Sequence, residues 1–158
     1  MVVALVGAPY KPAGTAKAAS HNYDPAQRGG MELRDAVEAD AGRLAALTDT
    51  PRDVMRNLVH DRTVRVAERN GEIVGFVSFD AREGTVHVTQ LKGETDVYDD
   101  LLDEPVRFAR SEGMAVELLA PDDEPDTQDA ADTVGFEHAG SGPYFNGTST
   151  TRYRLDDP

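Results

Sequence analysis

Cysteine is missing from the 158-residue chain, which excludes disulfides and thiolate-held metals. Long apolar runs are missing as well, so no segment is expected to span a membrane. Residues 1 to 8 are apolar, but they lack a basic leader and the run is short for a secretion signal. Lysine is scarce: Lys11, Lys17 and Lys92 are the only three, and arginine supplies the rest of the 16 basic side chains. Against them stand 29 acids, for a net charge of −13. No basic stripe is left to neutralise phosphates, which argues against a nucleic-acid partner. Carboxylates in excess with little lysine fit a surface kept hydrated at high salt, so the expectation is a cytoplasmic, halophilic-type protein. Neither a Walker-type loop nor a nucleophile elbow occurs. His60 and His138 are too far apart for metal-ligand spacing, and Asp122-Asp123-Glu124 lacks the calcium-loop pattern, so no metal site is expected.

What is present suffices for one ordinary domain with its own core. Residues 1 to 30 hold Gly, Pro, Ala and Ser with no sustained period, and read as a disordered tail with at most a short ordered piece at 1 to 6. Lys11, Lys17 and Arg28 against Asp24 give that tail +2, which leaves −15 of the −13 total for the remainder. Met31 follows Gly29-Gly30 and reads as an alternative start. The domain is expected over residues 31 to 158.

Residues 63 to 80 read as one β-hairpin. Asn70-Gly71 suits a two-residue type I′ turn, whose central residues both need positive φ. Val64 and Val66 alternate with more polar neighbours in the first arm. The second arm, Ile73 to Phe79, is apolar at nearly every position, as a strand covered on both faces should be. Gly75 within it marks a bulge or a close backbone approach.

Around the hairpin, Glu32 to Val37 forms a first strand and Asp40 caps a short helix carrying Leu44 and Leu47. Thr50-Pro51-Arg52-Asp53 reads as a helix start with a Thr cap and Pro in first position. Thr85 to Leu91 alternates as a third meander strand. Residues 95 to 112 have helical spacing, but Pro105 predicts a kink or a fresh start there. Ala115 to Leu119 is a strand, Gln128 to Val134 a short helix ending at Gly135, and Phe136 to Ala139 and Ser149 to Leu155 close the chain.

This order of elements, with Val66-Ala67-Glu68, Gly71-Glu72-Ile73-Val74-Gly75 and Gly135-Phe136, resembles the GCN5-related N-acetyltransferase (GNAT) family over residues 31 to 155. The resemblance implies an α+β (mixed α/β) fold, with a central, mainly antiparallel sheet flanked by helices and two central strands parted to admit acetyl-CoA. It implies transfer of an acetyl group to an amine, either a small molecule or a protein N-terminus or lysine. Val86 and Val88 then lie on the cofactor strand, and Lys92 and Gly93 at the diphosphate loop.

That loop departs from the family pattern of an Arg or Gln followed by spaced glycines. With Leu101-Leu102 matched to the family's leucines, Asp96 and Tyr98 fill the two glycine positions. Glycines let a diphosphate approach the amides at a helix N-terminus, and side chains obstruct it. The family's tyrosine acid before Gly-Phe is also absent: Ala131 stands there, and Glu124 stands at the family's asparagine. Tyr144 is the substitute candidate. For a general base the candidates are His87, Glu68 and Glu83; histidine is the side chain whose charge changes near neutral pH. Two other readings stay open: a non-catalytic GNAT-fold binding module that has lost acetyl-CoA use, and an unrelated α+β fold sharing the hairpin.

Overall fold

A computed structural model describes residues 31–145 and 147–158. The tail read over residues 1 to 30 lies outside the described residues. Strand β1 (Met31–Asp35) leads through a short 3₁₀ turn into helices α1 (Ala41–Thr48) and α2 (Arg52–Asp61). Three meander strands follow: β2 (Thr63–Arg69), β3 (Glu72–Arg82) and β4 (Thr85–Gly93). Then come α3 (Tyr98–Glu112), β5 (Ala115–Pro121), α4 (Pro125–Val134), β6 (Glu137–Ser141) and β7 (Thr150–Leu155). The strands form one seven-stranded sheet in the order β1-β2-β3-β4-β5-β7-β6. Only β4 and β5 run parallel; the other pairings are antiparallel.

The sheet separates two apolar layers. Val77, Phe79, Val86, Val88 and Leu91 face Leu101, Leu102, Val106 and Ala130 in the larger layer, which contains α3 and α4. Val64, Val66, Ile73 and Phe76 pack against Leu44 and Met55 of α1 and α2 on the other face. Ile73 to Phe79 are all buried, as a strand covered on both sides requires.

Asn70 (φ 54°) and Gly71 (φ 80°) take the two positive-φ positions of the hairpin turn. Both readings of Gly75 hold. Ala67 pairs with Gly75 and Glu68 with Ile73, so Val74 is the extra residue of a bulge. A β-carbon on Gly75 would lie 3.0 Å from the Lys92 carbonyl, and one on Gly93 would lie 2.3 Å from Gly75 Cα.

Three local expectations are corrected. Pro105 neither breaks nor restarts its helix: α3 is continuous from Tyr98 to Glu112, with Pro105 fully buried. Packing against the sheet outweighs the lost hydrogen bond. Pro51, not Thr50, stands at the start of α2, its carbonyl accepting from the amides of Val54 and Met55, while the Thr50 hydroxyl donates to Thr48. Asp40 does not cap α1 through its side chain; its carboxylate accepts from the Val37 amide at 2.8 Å and from Arg34 at 2.9 Å.

Candidate active site

The parallel pair opens halfway along its length. β4 and β5 pair from Thr85↔Ala115 to Val88↔Leu118, and the ladder ends there. Beyond it, Gln90 to Gly93 pairs with β3 only, and Leu119 to Pro121 with β7 only. The divergence begins at a bulge: Ser78 pairs with Gln90 and Phe79 with Val88, so Thr89 is the extra residue. A bulge bends its strand and raises its twist, which turns β4 away from β5. The Ser78 and Thr89 hydroxyls hold it at 2.6 Å, and Thr89 also donates to the Ser78 carbonyl.

A cleft of about 400 Å³ fills the parting. Its walls are Thr89 to Lys92 on one side and Leu118, Leu119 and Pro121 on the other, with Glu124, Thr127 and Phe145 at its margins. The arrangement fits an extended chain with polar groups, because one side of β4 offers backbone unpaired with β5.

Where the ladder ends, the register sets a polar row across four strands: Asp80↔His87, His87↔Glu117, Glu117↔Arg154. Residues opposite each other share a face of the sheet. His87 Nδ1 lies 3.5 Å from Glu117 Oε1, and Arg152 donates to Glu117 Oε2 at 3.2 Å. His87 also lines the cleft.

The sequence-derived candidates separate. His87, Val88 and Lys92 line the cleft. Val86 does not: it is fully buried and paired with Val116 in the closed half of the ladder, so its backbone is unavailable to a cofactor. Gly93 is required by contact with β3: its φ is 124°, and a β-carbon would strike Val74 O at 2.3 Å. Glu68 lies away from the cleft on β2 and accepts from Arg34 at 3.0 Å. Glu83 is in the tight β3–β4 turn with φ 52°. Tyr144 is 72% exposed and does not line the cleft; its neighbour Phe145 does.

At the start of α3, Tyr98 packs into the larger apolar layer. Tyr98 is only 8% exposed, and burial, followed by the carboxylates of Glu124 and Asp126, raises its hydroxyl above the ordinary tyrosine value. The amides of Glu94, Val97 and Tyr98 already bond to Val74, Glu94 and Thr95 carbonyls. Arg69 pairs with both Glu94 (3.2 Å) and Asp96 (3.3 Å). Lys92 reaches across the cleft margin to Glu124 at 3.3 Å. Among the described residues, no group of three or more His, Cys, Asp or Glu could hold a metal ion. No helix there is long and apolar enough to cross a membrane.

The architecture is that of the GNAT acetyltransferases. A GNAT-family protein from Desulfovibrio desulfuricans superposes with a TM-score of 0.67 at 18% identity, over 81% of this chain and 99% of that one. A protein from Salmonella typhimurium described as an acetyltransferase, solved with acetyl-CoA, gives 0.68 at 15% identity, over 81% and 94%. The spermidine N-acetyltransferase of Vibrio cholerae gives 0.65 at 13% identity, over 80% and 94%. No family model matches the sequence, and no curated protein does either. The chain therefore has the GNAT fold, stated from structure alone.

Sequence reasoning missed Thr89, Glu117 and Phe145. Thr89 carries no motif, and its place depends on a bulge that only strand register reveals. Glu117 alternates between Val116 and Leu118, a signal for a polar face but not for a neighbour of His87.

Proposed function

We propose that the protein is an N-acyltransferase that uses acetyl-CoA to acetylate an amine, with an atypical seat for the diphosphate. The parting of β4 from β5, with His87 at its closed end, carries this reading. The cleft fits the pantetheine arm of the cofactor. The start of α3 lacks the usual diphosphate seat, because Asp96 and Tyr98 stand at the glycine positions and the amides of Glu94 and Val97 are already bonded to carbonyls. Lys92 at the cleft margin is the cation available there, and Arg69 lies beside the same loop.

Bound, the cofactor supplies an acyl thioester carbon. His87 takes a proton from the substrate ammonium, leaving the nitrogen lone pair free to attack; as the new C–N bond forms the C–S bond would break, the His87 imidazolium would return its proton to the leaving thiolate, and the remaining amine proton would pass to solvent. Glu117 fixes the imidazole and balances the charge it gains. Thr89 lacks a register partner on either neighbouring strand and supplies the polar backbone nearest the parting. The acceptor class is a small amine or a protein N-terminus or lysine, met in a cytoplasm. Neighbours of the same fold include a spermidine acetyltransferase, consistent with a small amine.

Calorimetric titration of acetyl-CoA in molar KCl tests the reading. Saturation in the micromolar range supports it; no heat at millimolar ligand overturns it. His87→Ala should then lower turnover about 100-fold with acetyl-CoA affinity unchanged. A second reading, a non-catalytic binding module, is favoured by the side chain of Tyr98 at the second glycine position, and absence of acetyl-CoA binding would leave it standing.

A further inference from the structure

From His87 at the closed end of the cleft to Lys92 at its margin, β4 advances by five residues, roughly 16 Å. The pantetheine arm of an acyl thioester runs through about twelve bonds from its sulfur to the oxygen that can carry a phosphate, the reach of about four extended residues, roughly 13–14 Å. A sulfur beside His87 therefore sets the far end of the arm at Lys92 or just short of it. The cleft, about 400 Å³, lies toward the small end of ligand sites, which run from about 300 to about 1,000 Å³. It has room for the arm. Whatever is joined to the arm beyond that point lies outside, along the start of α3.

That outer ground is acidic, and its cations are already engaged. Glu94, Asp96, Asp99 and Asp100 run from the end of β4 into the first turn of α3. Glu124 and Asp126 approach from the start of α4, close enough to act on the Tyr98 hydroxyl. Arg69 is paired with Glu94 and Asp96, and Lys92 with Glu124. The amides of Glu94 and Val97 are bonded to the Val74 and Glu94 carbonyls. A diphosphate would add negative charge here and meet Lys92 as the solvated cation to exchange. The pantetheine arm is uncharged by contrast. Its two amides and its hydroxyl suit the side of β4 that is unpaired with β5.

We infer that this chain reads its acyl donor through the pantetheine arm and takes little from a nucleotide, so that its donor class is acyl-pantetheine thioesters with or without a nucleotide attached. The inference rests on the proposed function for the presence of a thioester in the cleft, and it widens the donor beyond acetyl-CoA. The transfer balances in the same way: the acyl carbon gains the C–N bond and loses the C–S bond, and free pantetheine leaves as the thiol.

The test is calorimetric titration of the protein with S-acetylpantetheine and, separately, with acetyl-CoA, each in 1 M and in 0.1 M KCl. In 1 M KCl the two dissociation constants should agree within about tenfold, because one solvated contact at Lys92 contributes no more than that. Lowering the salt lengthens the Debye length from about 3 Å to about 10 Å. The polyanionic acetyl-CoA should then bind at least about threefold more weakly, repelled by the acidic ground, while neutral S-acetylpantetheine keeps its affinity. That constancy also shows that the protein stays folded at the lower salt. A seat built of cations would give the opposite sign, with acetyl-CoA tightening as salt falls. S-acetylpantetheine more than about tenfold weaker than acetyl-CoA in 1 M KCl, or acetyl-CoA tightening in 0.1 M KCl, would overturn the inference and leave the proposed function intact. Binding of neither thioester would overturn both. Binding of S-acetylpantetheine alone would sustain the inference and remove acetyl-CoA as the donor.

Discussion

Gly93 illustrates how a single position serves the site through packing alone. Its φ of 124° is poorly accessible to residues with a side chain, and a β-carbon would sit 2.3 Å from both Gly75 Cα and Val74 O. Gly93→Ala should destabilise by about 3 kcal/mol or more, a fall in Tm of roughly 6–12 °C, measured by thermal unfolding. Glu104 is a second such position. Buried on α3, it accepts from Arg65 Nε at 2.6 Å and so ties the helix to β2. Glu104→Ala should cost about 3 kcal/mol because Arg65 loses its principal partner in a poorly hydrated place; a change below about 0.5 kcal/mol would mean the pair is effectively solvated. Asp40 gives a pH signature. The Arg34 guanidinium, opposed by burial and helped by the Val37 amide, holds its carboxyl below the ordinary range. Its proton is thus bound more readily in the unfolded chain, and the stability it contributes is full above the unfolded value near 4 and is lost as pH falls through the lower folded value. Denaturant titrations of Asp40→Asn should show a shallower loss of stability on acidification than the parent.

Between elements, the decisive contacts cross the parted strands. Lys92 on β4 and Glu124 at the start of α4 meet at 3.3 Å while both remain more than one-third exposed. A pair so solvated is worth less than about 1 kcal/mol, so Lys92 can exchange Glu124 for a phosphate at small cost. Glu124→Gln also removes a negative charge from the cleft margin. Acetyl-CoA affinity should therefore rise about three- to tenfold in Glu124→Gln and fall in Lys92→Ala, read by calorimetry. The opposite order would remove Lys92 from the cofactor site. The bulge at Thr89 is held by Ser78, a fully buried hydroxyl, and by the mismatch of register between β3 and β4. Side chains and backbone together thus set where the sheet opens.

Over the whole molecule, the charge of −13 sets the dependence on solvent. Many of its arginines are already paired with acids, Arg34 with Asp40 and Glu68 and Arg69 with Glu94 and Asp96 among them, yet the excess of carboxylate remains. Self-repulsion of that excess should weaken as the Debye length shrinks from about 10 Å at 0.1 M to about 3 Å at 1 M. Tm should accordingly rise by at least about 5 °C between 0.1 M and molar KCl. A fall would mean that ion pairs of this kind, not net repulsion, dominate the surface.

The sequence by itself determined the order of the elements, because periodicity, Asn70-Gly71 and Gly135 are local signals tied to backbone geometry. It also placed Asp96 and Tyr98 at the start of α3, where the resemblance implies glycines. It marked His87 as chemically capable. Only the tertiary structure decided which residues meet. Pro105 stayed within one helix because sheet packing overrode its local preference. Val86, inside the ladder, is sealed from the cleft, whereas Val88, two residues on and the last paired residue, lines it. Glu68, adjacent to the hairpin phrase, turned to Arg34, while Glu117, far along the chain, came to His87. Those outcomes follow from strand register and from one extra residue at Thr89, which are long-range properties that no local pattern in the chain encodes.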